Sequence, residues 1–244
     1  MIKDNLKEVH QHIVGACEKS GREVSAVTLV AVSKTKPLSM ILDCIEAGET
    51  VFGENYVQEL VEKYETMQKD HPQLCERVKW HMIGHLQRNK VKYIIDKVSM
   101  IHSVDSMRLA DQIEKEAEKH GLSMDILLEV NIAEEESKWG FTAEEAKDAV
   151  GQILSSCPHL RVRGLMTSAP YTEDAESNRV HFKNLHALFA DIKKALCEHN
   201  ALEKSSELFD TLSMGMTGDY RVAIEEGATM VRVGTGIFGE RDYH

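Results

Sequence analysis

The sequence predicts a (β/α)8 barrel preceded by one extra helix. Short runs rich in β-branched and apolar residues alternate with longer polar stretches of helical period, and eight such runs follow from Thr28 onwards. No Pro-rich or Ser/Gly-rich linker, low-complexity tract or composition shift divides the 244 residues, so a single domain over 1–244 is expected. Strict strand and helix alternation implies right-handed parallel crossovers. Eight such units in about 200 residues most naturally close into a barrel with the helices outside. An open doubly wound sheet shares the local pattern, but no G-x-G-x-x-G follows the first run.

Taken in order, Leu6, Val9, Ile13, Val14 and Cys17 recur at helical spacing before Gly21 and predict an amphipathic helix over 5–19. Strands are expected at 28–32, 50–52, 78–83, 99–104, 124–131, 162–166, 210–214 and 229–233. Helical stretches are expected after the first strand up to Ala47, from Tyr56 towards Met67, and at 106–120, 143–155, 174–199 and 219–226.

Composition excludes several classes of function. Hydrophobic residues make up 42% and charged residues 28%, the balance of an ordinary folded domain. The 29 Lys and Arg against 40 Asp and Glu give a net charge of -11, which repels nucleic acid and anionic membranes. Five scattered cysteines without a CxxC pair suggest neither disulfides nor zinc, and fit a reducing cytoplasm. The N-terminus does not read as a signal peptide, and no run approaches the roughly 18 apolar residues that span a bilayer.

The functional face of such a barrel lies at the C-terminal ends of its strands. Small, hydroxylic and amide residues gather there: Ser33-Lys34-Thr35-Lys36-Pro37, Gly53-Glu54-Asn55, Gly84-His85-Leu86-Gln87, Gly215-Met216-Thr217-Gly218-Asp219 and Gly234-Thr235-Gly236. Lys34 directly extends an apolar strand, so it either snorkels to water or is partly buried. Partial burial favours the neutral amine that forms a Schiff base with an aldehyde. Lys36, before Pro37, reads as a loop charge. The clusters at 213–218 and 234–236 are either ordinary turns or a phosphate cradle, and the loops after strands seven and eight are the habitual phosphate site of these barrels. Arg232 either faces inward, where it needs a partner, or outward beside a helix carboxylate. Asn55 either caps a helix or lines the site, and His81 is either packing or chemistry. The remaining histidines show no metal-ligand spacing.

Several motifs in order resemble one family: Leu29-Val-Ala-Val-Ser-Lys-Thr-Lys-Pro37, Phe52-Gly-Glu-Asn-Tyr-Val-Gln-Glu59, Trp80-His-Met-Ile-Gly-His-Leu-Gln87, Arg163-Gly-Leu-Met166, Leu212-Ser-Met-Gly-Met-Thr-Gly-Asp219 and Val231-Arg-Val-Gly-Thr-Gly-Ile-Phe-Gly239. The sequence is similar to the pyridoxal phosphate homeostasis proteins, single-domain relatives of the barrel half of alanine racemase. The resemblance implies an alanine racemase N-terminal domain-like barrel with pyridoxal 5'-phosphate (PLP) held as a Schiff base on Lys34. It also implies that Ser213, Gly215, Gly234 and Thr235 hold the phosphate, with Thr217 standing where many members carry serine. Arg232 would face the pyridine nitrogen, with Asn55 and His81 around the ring.

An arginine at the pyridine nitrogen disfavours protonation there and weakens the electron sink that most PLP enzymes use. Alanine racemase tolerates it by taking an opposite-face base from a partner's extra β domain, for which a chain ending at His244 is expected to leave no room. The expected function is therefore a PLP carrier or buffer in vitamin B6 and amino-acid homeostasis rather than a catalyst. Small amino acids and PLP-accepting apo-enzymes are the expected partners. The alternatives are a racemase-like PLP enzyme acting on small amino acids and a phosphate-binding barrel enzyme without PLP.

Overall fold

The computed structural model describes residues 1–135, 139–199 and 203–240. Eight parallel strands close in chain order into one barrel: β1 (Thr28–Val32), β2 (Val51–Glu54), β3 (Lys79–Met82), β4 (Met100–Val104), β5 (Met124–Glu129), β6 (Leu160–Met166), β7 (Thr211–Met216) and β8 (Met230–Val233). The closing pair is β1 with β8, in the register Val30 to Arg232. Each expected strand is present. Two run further at their C-terminal ends than expected, because Gly53 and Glu54 belong to β2 and Gly215 and Met216 to β7 rather than to the loops beyond, and β6 begins two residues early, at Leu160.

The alternation of side chains along each strand separates two cores. Outward residues such as Leu29, Ala31, Phe52, Trp80, Leu212 and Val231 pack under the helices. The barrel interior holds a smaller cluster of Val30, Met100, Leu127, Met166 and Met230.

The helices are α1 (Ile2–Ser20), α2 (Leu38–Glu46), α3 (Val57–Asp70), α4 (Pro72–Cys75), α5 (Met107–His120), α6 (Ala143–Ser156), α7 (Arg179–Glu198), α8 (Glu203–Leu208), α9 (Tyr220–Glu225) and α10 (Thr235–Phe238). Gly21 ends α1 in the left-handed conformation (φ 67°), where its missing Cβ removes the steric cost. The unit after β3 departs from the repeat, since 3-10 turns over Arg88–Tyr93 take the place of a full helix. After β8 the described residues hold the four-residue α10 alone, and α1 packs over it, over α9 and over α2. Asn5 Nδ2 donates to Ile237 O at 2.8 Å, and Arg22 donates to the carbonyls of Ile224 and Ala228. The extra N-terminal helix thus covers the seam that a short eighth helix leaves.

Candidate functional site

A cavity of about 480 Å³ opens at the C-terminal ends of the strands. Lys34 and Asn55 line it from the β1 and β2 side, and Arg232, Thr217, Gly234 and Thr235 from the β7 and β8 side.

The turn that carries Lys34 is held from behind. Glu54 is the last residue of β2 and points outward, fully buried, towards α3. Lys63 of α3 donates to Glu54 Oε1 (2.6 Å), to Glu59 Oε1 (2.7 Å) and to the carbonyl of Ser33 (2.8 Å). The Ser33 hydroxyl donates to Glu54 Oε1 (2.7 Å), and Thr35 N donates to Glu59 Oε1 (2.6 Å). Burial pushes the Glu54 carboxyl up from the usual carboxylate value, while Lys63 and the Ser33 hydroxyl pull it back. Thr35 has φ 64°, a left-handed conformation that a β-branched residue adopts only when its surroundings impose it. The charged group behind the turn grips the main chain on both sides of Lys34.

Arg232 lies in β8, buried at 4% exposure, and faces inward. Its guanidinium donates to Ser213 Oγ (2.7 Å) and to the carbonyl of Thr167 (2.8 Å). Among the described residues no carboxylate forms an ion pair with it, and burial pushes its pKa down to about 10 despite the fields of Glu129 and Asp219. It remains a cation at neutral pH.

Thr217 follows β7, and its Oγ1 accepts from Gly234 N (3.2 Å) and Gly236 N (3.4 Å). Hydroxyl and backbone N–H groups therefore converge on one point of the cavity wall. Space beside Gly236 is tight, because a Cβ would press on the Val233 and Thr217 side chains at 3.0 Å and 3.3 Å. Asp219 accepts from Met216 N (2.7 Å) and from Asn178 Nδ2 (2.8 Å), which fixes the turn between β7 and α9. Across the cavity, Asn55 carries a buried amide oxygen without a hydrogen-bond partner among the described residues. Gly84 lets that residue approach, since a Cβ would lie 2.4 Å from the Asn55 carbonyl.

The structure brings together Lys34, Asn55, Thr217, Arg232, Gly234 and Thr235, and it sets three expected residues apart from the cavity lining. Ser213 lies below, behind Arg232, its hydroxyl engaged by the guanidinium. Gly215 (φ 89°) is a strand residue whose Cβ would strike Ala223 at 2.5 Å, so it serves the packing of α9 on β7. His81, expected beside a bound ring, sits inside the barrel at 4% exposure, where the parity of β3 directs it inward below the cavity.

The alanine racemase N-terminal domain model matches residues 2–242. The pyridoxal phosphate homeostasis protein of Aquifex aeolicus (strain VF5) is 42% identical over 240 residues, covering 98% of each chain. The chain belongs to this family. Among solved structures, an unknown protein from Bifidobacterium adolescentis matches with a TM-score of 0.86 at 35% identity, covering 97% of this chain and 94% of that one. PipY of Synechococcus elongatus PCC7942, solved with PLP bound, matches with a TM-score of 0.77 at 29% identity, covering 98% and 100%. The closed barrel and its opening helix are those the family resemblance implies.

The sequence alone assigns no role to Lys63, Glu59, Glu54, Thr167 or His102. The i,i+4 spacing of Glu59 and Lys63 was a signal, but such pairs are ordinary on exposed helix faces. His102 shares the inward parity of Met100 on β4, which a strand-by-strand parity count could have found. Among the described residues no group of three His, Cys, Asp or Glu could hold a metal, and no helix is long and apolar enough to cross a membrane.

Proposed function

We propose that this chain binds PLP in the cavity at the C-terminal ends of its strands and acts as a carrier or buffer of the cofactor. The observation that carries the reading is the placement of Lys34, Arg232 and the Thr217–Gly234–Thr235 donors around one cavity. The donors fit a phosphate, the lysine fits an aldehyde, and the unpaired Asn55 oxygen marks a wall built for a polar guest. PLP when bound supplies an aldehyde for Schiff-base attachment and a ring that can withdraw electrons.

In this reading Lys34 is the covalent attachment point. Thr217, Gly234 and Thr235 hold the phosphate, Asn55 flanks the ring, and Arg232 faces the ring nitrogen. The fixed charge of Arg232 disfavours a second positive charge beside it, so its place opposes the protonated ring on which most catalysis of this kind depends. Ser213 supports Arg232 rather than touching the phosphate. Small amino acids and PLP-accepting apo-enzymes remain the proposed partners, and the cytoplasm the proposed location.

The test is to load the protein with PLP, reduce it with borohydride, and map the adduct by peptide mass spectrometry. The adduct is expected on Lys34. Its appearance on Lys36 instead, or no visible absorption band after loading, would overturn the assignment.

A further inference from the structure

Arg232 ends a row of polar side chains that crosses the barrel. Ser213 Oγ lies 2.7 Å from the guanidinium and 3.1 Å from His102 Nδ1, and His102 Nε2 lies 3.0 Å from His81 Nδ1. All four residues are buried. His81 also lines a second cavity, of about 730 Å³, among Lys79, Met100, Met124 and Thr229 at the N-terminal ends of the strands. The row therefore runs from one mouth of the barrel to the other.

One arrangement of protons satisfies every contact within this row. Arg232 only donates, so Ser213 Oγ accepts from it and its own proton goes to the one other described neighbour, His102 Nδ1. His102 then carries its proton on Nε2 and donates to His81 Nδ1, which places the His81 proton on Nε2, at the far mouth. The reverse order would leave the fully buried Ser213 hydroxyl proton without an acceptor among the described residues, a costly state. Both rings must be neutral for the row to hold, because a protonated imidazole has no acceptor nitrogen. Burial keeps them so, pushing His81 down to about 3 and His102 well below the ordinary histidine value.

We propose that Ser213, His102 and His81 form a one-way hydrogen-bonded row that positions Arg232 from the far side of the barrel, with both histidines in the Nε2–H form. His81 and His102 are positioning residues. They act on the cavity through Arg232, which explains a buried polar chain in an interior that apolar side chains would otherwise fill. The proposal bears on PLP binding only through the reading of Arg232 given above.

The experiment is nitrogen NMR of the whole chain, free of PLP, with labelled histidine and arginine. Both His81 and His102 are expected as neutral Nε2–H tautomers from pH 7 down to pH 5. A proton on Nδ1 of either, or protonation near the ordinary histidine value, overturns the proposal. His81→Gln keeps an acceptor and a donor, whereas His81→Phe fills the space and keeps neither. Guanidinium proton exchange of Arg232 is expected to quicken about tenfold in His81→Phe and to return towards wild type in His81→Gln, on the scale of one lost hydrogen bond. Equal exchange in wild type and both folded variants would make His81 a packing residue and sink the idea. If the tautomers are as stated and the protein takes up no PLP, the cofactor reading falls while the row stands.

Discussion

Lys34 and Arg232 face one cavity from walls built in opposite ways. Behind Lys34 the groups are charged: Glu54, Lys63 and Glu59 grip the carbonyl of Ser33 and the amide of Thr35. Behind Arg232 they are neutral: a serine, a backbone carbonyl and two uncharged histidines. The difference follows from what each wall must fix. A lysine at the end of a strand is aimed by its backbone, so the support reaches main-chain atoms. An arginine within a strand is aimed at its guanidinium, so the support reaches the side chain. Charges tolerate the first place because Lys63 pairs with both carboxylates there, whereas a carboxylate beside Arg232 would cancel the cation that the cavity presents.

The strongest way to break this comparison is at Lys63. Lys63→Met leaves Glu54, fully buried, without its cation, and removing one partner of a buried pair costs about 3–5 kcal/mol. Urea denaturation should show a loss of that order. A double variant, Glu54→Gln with Lys63→Met, should recover part of it, because the only carboxylate left without Lys63 is then the partly exposed Glu59. A loss below about 1 kcal/mol would mean that the pair behaves as a surface bridge.

The neutral wall predicts a pH dependence of its own. His81 and His102 have folded-state pKa values below the ordinary 6.5, so the unfolded chain binds more protons as pH falls through that value. Their contribution is complete above pH 6.5 and is lost progressively as pH falls below it, for His81 towards about 3. Each pH unit below 6.5 costs at most about 1.4 kcal/mol per histidine. Urea midpoints at pH 7 and pH 5 should therefore differ, and the difference should shrink in a His81→Gln, His102→Gln double variant. Carboxylates titrate mostly below that window, so an unchanged difference in the double variant would assign the acid sensitivity elsewhere.

How far the sequence made these walls legible differs between them. The strands and the mouth where Lys34, Thr217 and Gly234 meet were readable, because strand alternation and the loop-end position of small and hydroxylic residues are local signals. What lies beneath was not. Glu54 reads as a loop residue until β2 is seen to extend through it, and only its outward parity then turns it towards Lys63 on α3. His81 reads as a neighbour of a bound ring because motif position says which loop follows a residue, not how deep it sits in a staggered barrel. Gly215 looked like part of a phosphate loop, whereas its φ of 89° and the close approach of α9 belong to packing.

The smallest effect tests whether the charged wall imposes the strain at Thr35. A left-handed conformation costs an L-residue roughly 1–2 kcal/mol, and glycine avoids that cost while losing about 0.5–1 kcal/mol through its freer unfolded chain. Thr35→Gly should therefore stabilise the protein by no more than about 1.5 kcal/mol. The background decides the meaning of that gain. Thr35 N is bound to Glu59, which Lys63 holds, so in Lys63→Met the turn is free to relax and the glycine should add nothing. Contacting residues on one network are where such non-additivity is expected. An equal gain in both backgrounds would show that the local chain at 33–37 sets the φ of Thr35 by itself, and the wall behind Lys34 would then hold charge without holding shape.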